Sequence, residues 1–222
     1  ENTIRHSLKV FGIRLGKVGR GGFERAVLEA VAGDAMTLGL MQAMLRARAA
    51  LWVEYLALNK LVVQITMRDA LCRRFMAIPG VGPVTALSFS TAIEDPARFR
   101  RSRDVAAYFG LTSKRWQSGT SIDVKGRISK AGDPDVRRAL YEAASAMLTR
   151  FKGSDILKSW GLKLAKTKCH AKARVAVARK LAVVMHAMWR DGTNYVGDPT
   201  ASAQDVAARA SAKEKRLSYA QS

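Results

Sequence analysis

Cysteine is scarce in this chain of 222 residues: Cys72 and Cys169 are the only two. Two thiols cannot build a zinc cluster, and a reduced cytosolic setting suits them best. Cys72 falls in an apolar helical pattern, where a buried thiol behaves as a small hydrophobe. Cys169 stands beside His170, but no further Cys or His has ligand spacing nearby, so the pair reads as surface and no metal site is expected here. Long apolar runs are lacking as well. With no stretch of about 20 apolar residues and no signal peptide, no membrane partner is expected. Carboxylates are few and scattered: Glu94, Asp95, Asp123, Asp133 and Asp135 lie in caps and turns, not in the clusters that hold two divalent metals. An initiator Met is missing at Glu1, from which residues upstream are expected.

What the chain has in excess is positive charge. Its 38 Lys and Arg face 18 Asp and Glu, for a formal charge of +20 and a pI of about 10.6. A polyanion is the simplest partner for such a surface. The cations are spread along the chain and not gathered on one amphipathic segment, which favours nucleic acid over a membrane surface. Half of the residues are apolar, enough for a folded core in one or two domains.

The periodicity predicts an all-α fold. Residues 1–33 form a basic, Gly-rich helix and loop region. A long helix then spans residues 34–76, with Met44, Leu51, Leu58, Ile65 and Cys72 at one heptad position and Leu40, Ala47, Leu61 and Phe75 at the partner position. Glu54 and Arg68 interrupt this coiled-coil-type seam. The pattern equally suits a long helix packed on its own domain, since one helix does not reveal whose surface it meets. Residues 77–195 form a helical domain, and residues 196–222 read as a weakly ordered tail.

Within the helical domain, Ile78-Pro79-Gly80-Val81-Gly82-Pro83-Val84-Thr85-Ala86 predicts two helices joined by a tight turn. Glycines allow backbone conformations other residues resist, and Pro83 suits the first position of a new helix. The N–H groups and dipole at that helix start favour an anion, so Gly80, Val81, Gly82 and Thr85 are candidate phosphate contacts. The pattern resembles a helix-hairpin-helix; the alternative is an ordinary Gly-Pro loop between core helices. Arg98, Arg100, Arg101 and Arg103 follow and outnumber the nearby acids, which points to phosphate. Ser102 or Asp104 can cap the next helix.

Residues 112–132 form a cationic connection with Lys114, Arg115, Gln117, Lys125, Arg127 and Lys130, and room for a short β-ribbon. A loop of this composition inside a helical domain is more often functional than filler. Ser118 is the best-placed hydroxyl nucleophile, because Gly119 lets it stand clear and neighbouring cations can stabilise developing charge. Ser121 is a second candidate. Asp133-Pro134 starts a helix whose core face is Val136, Leu140, Ala143 or Ala144, and Met147, with Arg137 and Arg138 in a first turn that disfavours cations. Either Asp135 offsets them or an anion binds there. In the last helix, Val177, Leu181, Val184 and Met188 line the core, and His186 beside them reads as structural. Lys163, Lys166, His170 and Arg174 form one basic stripe only if the helix runs unbroken through residue 169.

In order, residues 78–87, Asp95-Pro-Ala-Arg-Phe99, Tyr108-Phe-Gly-Leu-Thr112, Gln117-Ser-Gly119, Gly126-Arg-Ile-Ser-Lys130, Gly132-Asp133 and residues 173–181 resemble the C-terminal half of insertion-sequence-one-ten family transposases, relatives of the Piv recombinase. The resemblance spans roughly residues 1–195. It implies that Ser118 attacks a DNA phosphate and forms a covalent phosphoserine link, and that a RuvC-like domain outside this chain supplies four acids binding Mg²⁺. It also implies a structured guide RNA, a homodimer or higher synaptic oligomer assembled through the coiled coil, and the bacterial cytosol, at the nucleoid when bound to DNA. Without the RuvC-like acids, the chain is expected to bind DNA but not to complete strand exchange alone. The competing expectation is a noncatalytic helix-hairpin-helix module or a truncated transposase remnant.

Overall fold

The computed structural model describes residues 1–118, 122–197 and 211, with the backbone alone at residues 20, 116–118 and 122–125. The tail expected over residues 196–222 therefore lies outside the described residues beyond Gly197, Ser211 apart. The described residues are mostly helical, with one two-stranded antiparallel sheet. None of the described helices is long and apolar enough to cross a membrane. The chain divides into two compact units, Glu1–Lys60 and Leu61–Ser222.

The first unit packs α1 (Asn2–Val10) and α2 (Phe23–Val31) with the start of α3 (Ala35–Arg68). Its core is small: Ile4, Leu8, Phe23, Val27, Val31, Met41 and Leu45. The Arg5 and Arg48 guanidinium groups each lie 5.2 Å from the Phe23 ring centroid, so the aromatic is held by cations as well as by apolar contact. Asp34 starts α3 by accepting from the Met36 N–H and the Thr37 hydroxyl, which lowers its pKa, the Thr37 bond being the largest cause.

The long helix expected to reach Phe75 instead ends at Arg68. Asp69 is extended and accepts from the Cys72 N–H at 2.9 Å, capping a separate helix, α4 (Ala70–Met76). An aspartate that bonds its own following backbone competes with helix continuation. Cys72 and Phe75 consequently leave the heptad seam and lie buried in the second unit's core. The remaining seam is open: Leu51 is 72 % and Leu58 62 % exposed, and Leu61 and Ile65 are also exposed. In the first unit α3 buries Thr37, Met41 and Leu45, and of the heptad series Met44 packs partly buried against that core.

In the second unit, α5 (Pro83–Ile93), α6 (Ser102–Tyr108), α7 (Pro134–Thr149) and α8 (Ile156–Lys168) pack with α9 (His170–Arg190) around one core. Val136, Leu140, Ala143, Ala144 and Met147 form the inner face of α7, and Val177, Leu181 and Met188 are buried on α9, with Val184 partly so. Phe75, Phe89 and Phe109 pack in series, the first pair edge-to-face and the second tilted, their centroids 5.5 and 5.7 Å apart. Between α8 and α9 the chain turns at Cys169, whose φ is +75°. The condition for one continuous basic stripe across that junction is therefore not met.

Candidate nucleic-acid interface

Helix α4 leads through residues 77–82 into α5, and each glycine of the turn does something different. Gly80 has φ +86°, and a Cβ there would stand 2.3 Å from the Ala143 carbonyl oxygen and 2.9 Å from the Met147 N. Its missing side chain admits the backbone of α7. Gly82 occupies the N-cap of α5 in extended conformation, with Pro83 next in the helix, and a Cβ at this position would meet nothing within 4 Å. By helix geometry the N–H groups of Val84 and Thr85 have no intrahelical acceptor. The Val81 side chain is buried, and the Thr85 hydroxyl donates to Ala139 O at 3.3 Å. What the turn presents outward is the helix start at Gly82 and the exposed Val84.

The arginine-rich segment divides in the same way. Arg98 donates to Ile93 O at 3.1 Å and pairs with Glu94 at 3.4 Å, closing the C-terminus of α5. Arg100, Arg101 and Arg103 are exposed. Ser102 does not cap α6 with its hydroxyl. It lies 3.0 Å from Nδ1 of the buried His186, whose Nε2–H donates to Pro96 O at 3.0 Å. Since a carbonyl can only accept, Nε2 carries a proton. His186 thus ties both ends of residues 96–102 to α9, with the Phe99 ring edge-on at 5.6 Å.

The cationic connection forms the short ribbon for which the sequence left room: β1 (Ser113–Ser118) pairs with β2 (Ile122–Ile128), placing Arg115 opposite Lys125, Gln117 opposite Asp123 and Ser118 opposite Ile122. Ser118 closes β1 at the distal end of the ribbon. Gly119 and Ser121 fall outside the described residues, and Gln117, Ser118 and Lys125 are placed by backbone alone. Lys114, Arg115, Arg127 and Lys130 are exposed.

The ribbon's base is locked by backbone. Ser129 N donates to Thr112 O at 2.8 Å and Lys130 N to Gly110 O at 3.1 Å. Gly110 (φ +66°) and Gly132 (φ +72°) have no room for a side chain, a Cβ on the first meeting Ala131 O at 2.3 Å and on the second Tyr108 O at 2.0 Å. Arg137 adds to this lock, donating to Phe109 O and Ala131 O at 3.1 Å each. Arg138 pairs with Asp135 at 3.4 Å on the surface, so that acid offsets one of the two first-turn cations. Among the described residues no three His, Cys, Asp or Glu side chains are grouped to hold a metal ion.

Residues 72–160 match the family described as Transposase IS116/IS110/IS902. Over these residues the chain belongs to this family. The matched segment opens in α4 and closes in α8, so it contains the turn, the arginines, the ribbon and α7 together. The chain is 31 % identical over 195 residues to the transposase of insertion sequence element IS1111A from Coxiella burnetii, covering 84 % of this chain and 52 % of that protein. It is 28 % identical over 200 residues to the putative transposase y4pF/y4sB of Sinorhizobium fredii, covering 86 % and 51 %. A pilin gene-inverting protein from Moraxella bovis is 29 % identical over 119 residues, 53 % of this chain and 36 % of that protein. The chain spans about half the length of the first two relatives. His186 is buried and hydrogen-bonded, as its structural reading expected, though its partners Ser102 and Pro96 were not legible. The contributions of Gly110 and Gly132 escaped the reading of single residues, although two family-like motifs, Tyr108-Phe-Gly and Gly132-Asp133, contain the glycines that meet at the ribbon's base.

Proposed function

We propose that this chain is the DNA-gripping, serine-bearing part of a transposase. The observation that carries this reading is the ribbon: a cationic arm within the family-matched segment, locked at Gly110 and Gly132, with Ser118 closing its first strand. The grip comes from Arg100, Arg101 and Arg103, the ribbon cations Lys114, Arg115, Lys125, Arg127 and Lys130, and the start of α5 at Gly82, where backbone N–H groups and the helix dipole suit a phosphate. These contacts hold backbone and carry no sequence information. Sequence choice then falls to other parts of the assembly, including the structured guide RNA.

In the chemical step, the Ser118 oxygen bonds to phosphorus as the phosphorus–oxygen bond to one deoxyribose breaks. The serine proton leaves, and the departing oxygen gains one, so the phosphodiester's bonding is conserved as phosphoserine and the rejoining step reverses it. Cations on both strands stabilise the charge that gathers on the phosphate oxygens. The described residues do not fit a Mg²⁺ site, so no step is assigned to that ion within this chain. The open apolar series Leu51, Leu58, Leu61 and Ile65 on α3 supports pairing with a second copy.

The experiment is to join the chain to the remaining half of a full-length relative and incubate it with DNA. Detergent-resistant protein–DNA adducts should form with Ser118 and be lost in Ser118→Ala; adducts surviving that change would refute the nucleophile.

A further inference from the structure

Helices α8 and α9 carry an unusual charge balance. Across residues 156–190 there are nine Lys and Arg and no Asp or Glu. The inner face of α8 is fully used: Leu157, Gly161 and Ala165 are buried, and a Cβ on Gly161 would meet Val177 of α9 at 2.6 Å and Leu148 of α7 at 2.8 Å. The opposite face presents Ile156, Ser159, Trp160, Lys163 and Lys166, all exposed. Trp160 is 42 % exposed, a large aromatic placed in water beside lysines.

Trp160 also lines a cleft of about 290 Å³ with Ser154, Asp155, Ile156, Ser159, Lys163 and Gly197. That volume falls just below the roughly 300–1,000 Å³ range of small-molecule sites. The one carboxylate in its wall is already satisfied: Asp155 is buried, with Oδ1 accepting from the Lys158 N–H at 3.0 Å and Oδ2 from the Tyr195 hydroxyl at 2.8 Å. The cleft thus offers an aromatic face, hydroxyls and an ammonium group, with no acid turned outward.

We propose that this cleft holds one nucleotide of an unpaired nucleic-acid strand, its base stacked on Trp160 and its phosphate beside Lys163. Aromatic stacking next to backbone-tracking cations is how proteins hold single strands. A duplex keeps its bases stacked on one another and has no loose ring to offer. A bilayer would need an apolar helix face, and that of α8 is buried against α7 and α9. The site rests on the nucleic-acid reading above but is separate from the Arg100–Arg103 and ribbon residues that reading uses. DNA and RNA share this chemistry, and the test separates them.

The full chain is titrated with labelled oligothymidylate, oligouridylate and a DNA duplex of equal length, at fixed salt. Trp160→Ala should weaken single-strand binding about tenfold while duplex affinity stays within about twofold, and Trp160→Phe should restore most of the loss. Trp52→Ala, an exposed tryptophan on α3, should change neither. The homopolymer showing the larger Trp160-dependent loss identifies the source of the strand. Single-strand affinity unchanged by Trp160→Ala, or single-strand and duplex affinities falling together, would overturn the site while leaving the DNA grip standing. A wild-type chain that binds none of the three probes would overturn both.

Discussion

Two glycines two residues apart separate packing from binding. Gly80→Ala forces a side chain into the α7 backbone at a positive φ, and should cost about 3 kcal/mol by denaturant midpoint. Gly82→Ala meets nothing, and should cost less than about 1 kcal/mol, the difference between glycine and alanine at an N-cap. Any change in DNA affinity from the second substitution therefore reports the interface and not the fold. The same contrast holds for the paired arginines of α7. Arg137→Ala removes donors from two carbonyls at the ribbon base and should cost about 1–2 kcal/mol, with faster hydrogen exchange at Ser129 and Lys130. Arg138→Ala breaks only an exposed pair and should stay within about 0.5 kcal/mol. From composition the two were indistinguishable, because which cation finds a carbonyl depends on a partner 28 residues away in the chain.

Tyr195 and Asp155 join the segment after α9 to the start of α8. Burial, followed by the neighbouring Asp155 charge, raises the tyrosine's pKa well above its ordinary 10.0. A group whose folded pKa is raised contributes stability that is complete below the unfolded value and declines as pH rises beyond it. Stability of the native chain should accordingly begin to fall above about pH 10 through this group, and Tyr195→Phe should remove that component of the alkaline slope. At neutral pH the same variant leaves the buried Asp155 Oδ2 without its donor, for a cost of about 1–3 kcal/mol.

Among the elements, α7 and α9 followed from apolar spacing because their inner faces pack against a core that demands the 3.6-residue period. Asp133-Pro134 marked a true helix start for a local reason, the carboxylate accepting from Asp135 N at 2.7 Å and Val136 N at 3.2 Å. The end of α3 was hidden because nothing there is glycine or proline: Asp69 interrupts an apolar pattern that carries on into α4, so the heptad count ran two helices together. Removing the cap with Asp69→Ala should cost about 1 kcal/mol, measurable by thermal unfolding. The ribbon's place was suggested by composition, but not its anchorage, since Gly110 and Gly132 show their purpose only when the two segments meet. Trp160 gave no periodic signal, for a single exposed aromatic reads like any other half-buried one until its surroundings are known.

Over the whole molecule, a formal charge of +20 does not fall evenly once the internal uses are subtracted. Arg98, Arg137 and Lys158 donate hydrogen bonds to carbonyls; Arg100, Arg101 and Arg103 stay outward on a segment that His186 pins at both ends. Electrostatic binding by those three makes a quantitative demand. In a titration of the full chain with duplex DNA over a range of salt, changing all three to Gln should lower the slope of log affinity against log salt by roughly 2–3, about 0.9 for each phosphate no longer neutralised. A slope equal to that of the unmodified chain would mean that these arginines touch no phosphate, and the proposed grip would fall with them.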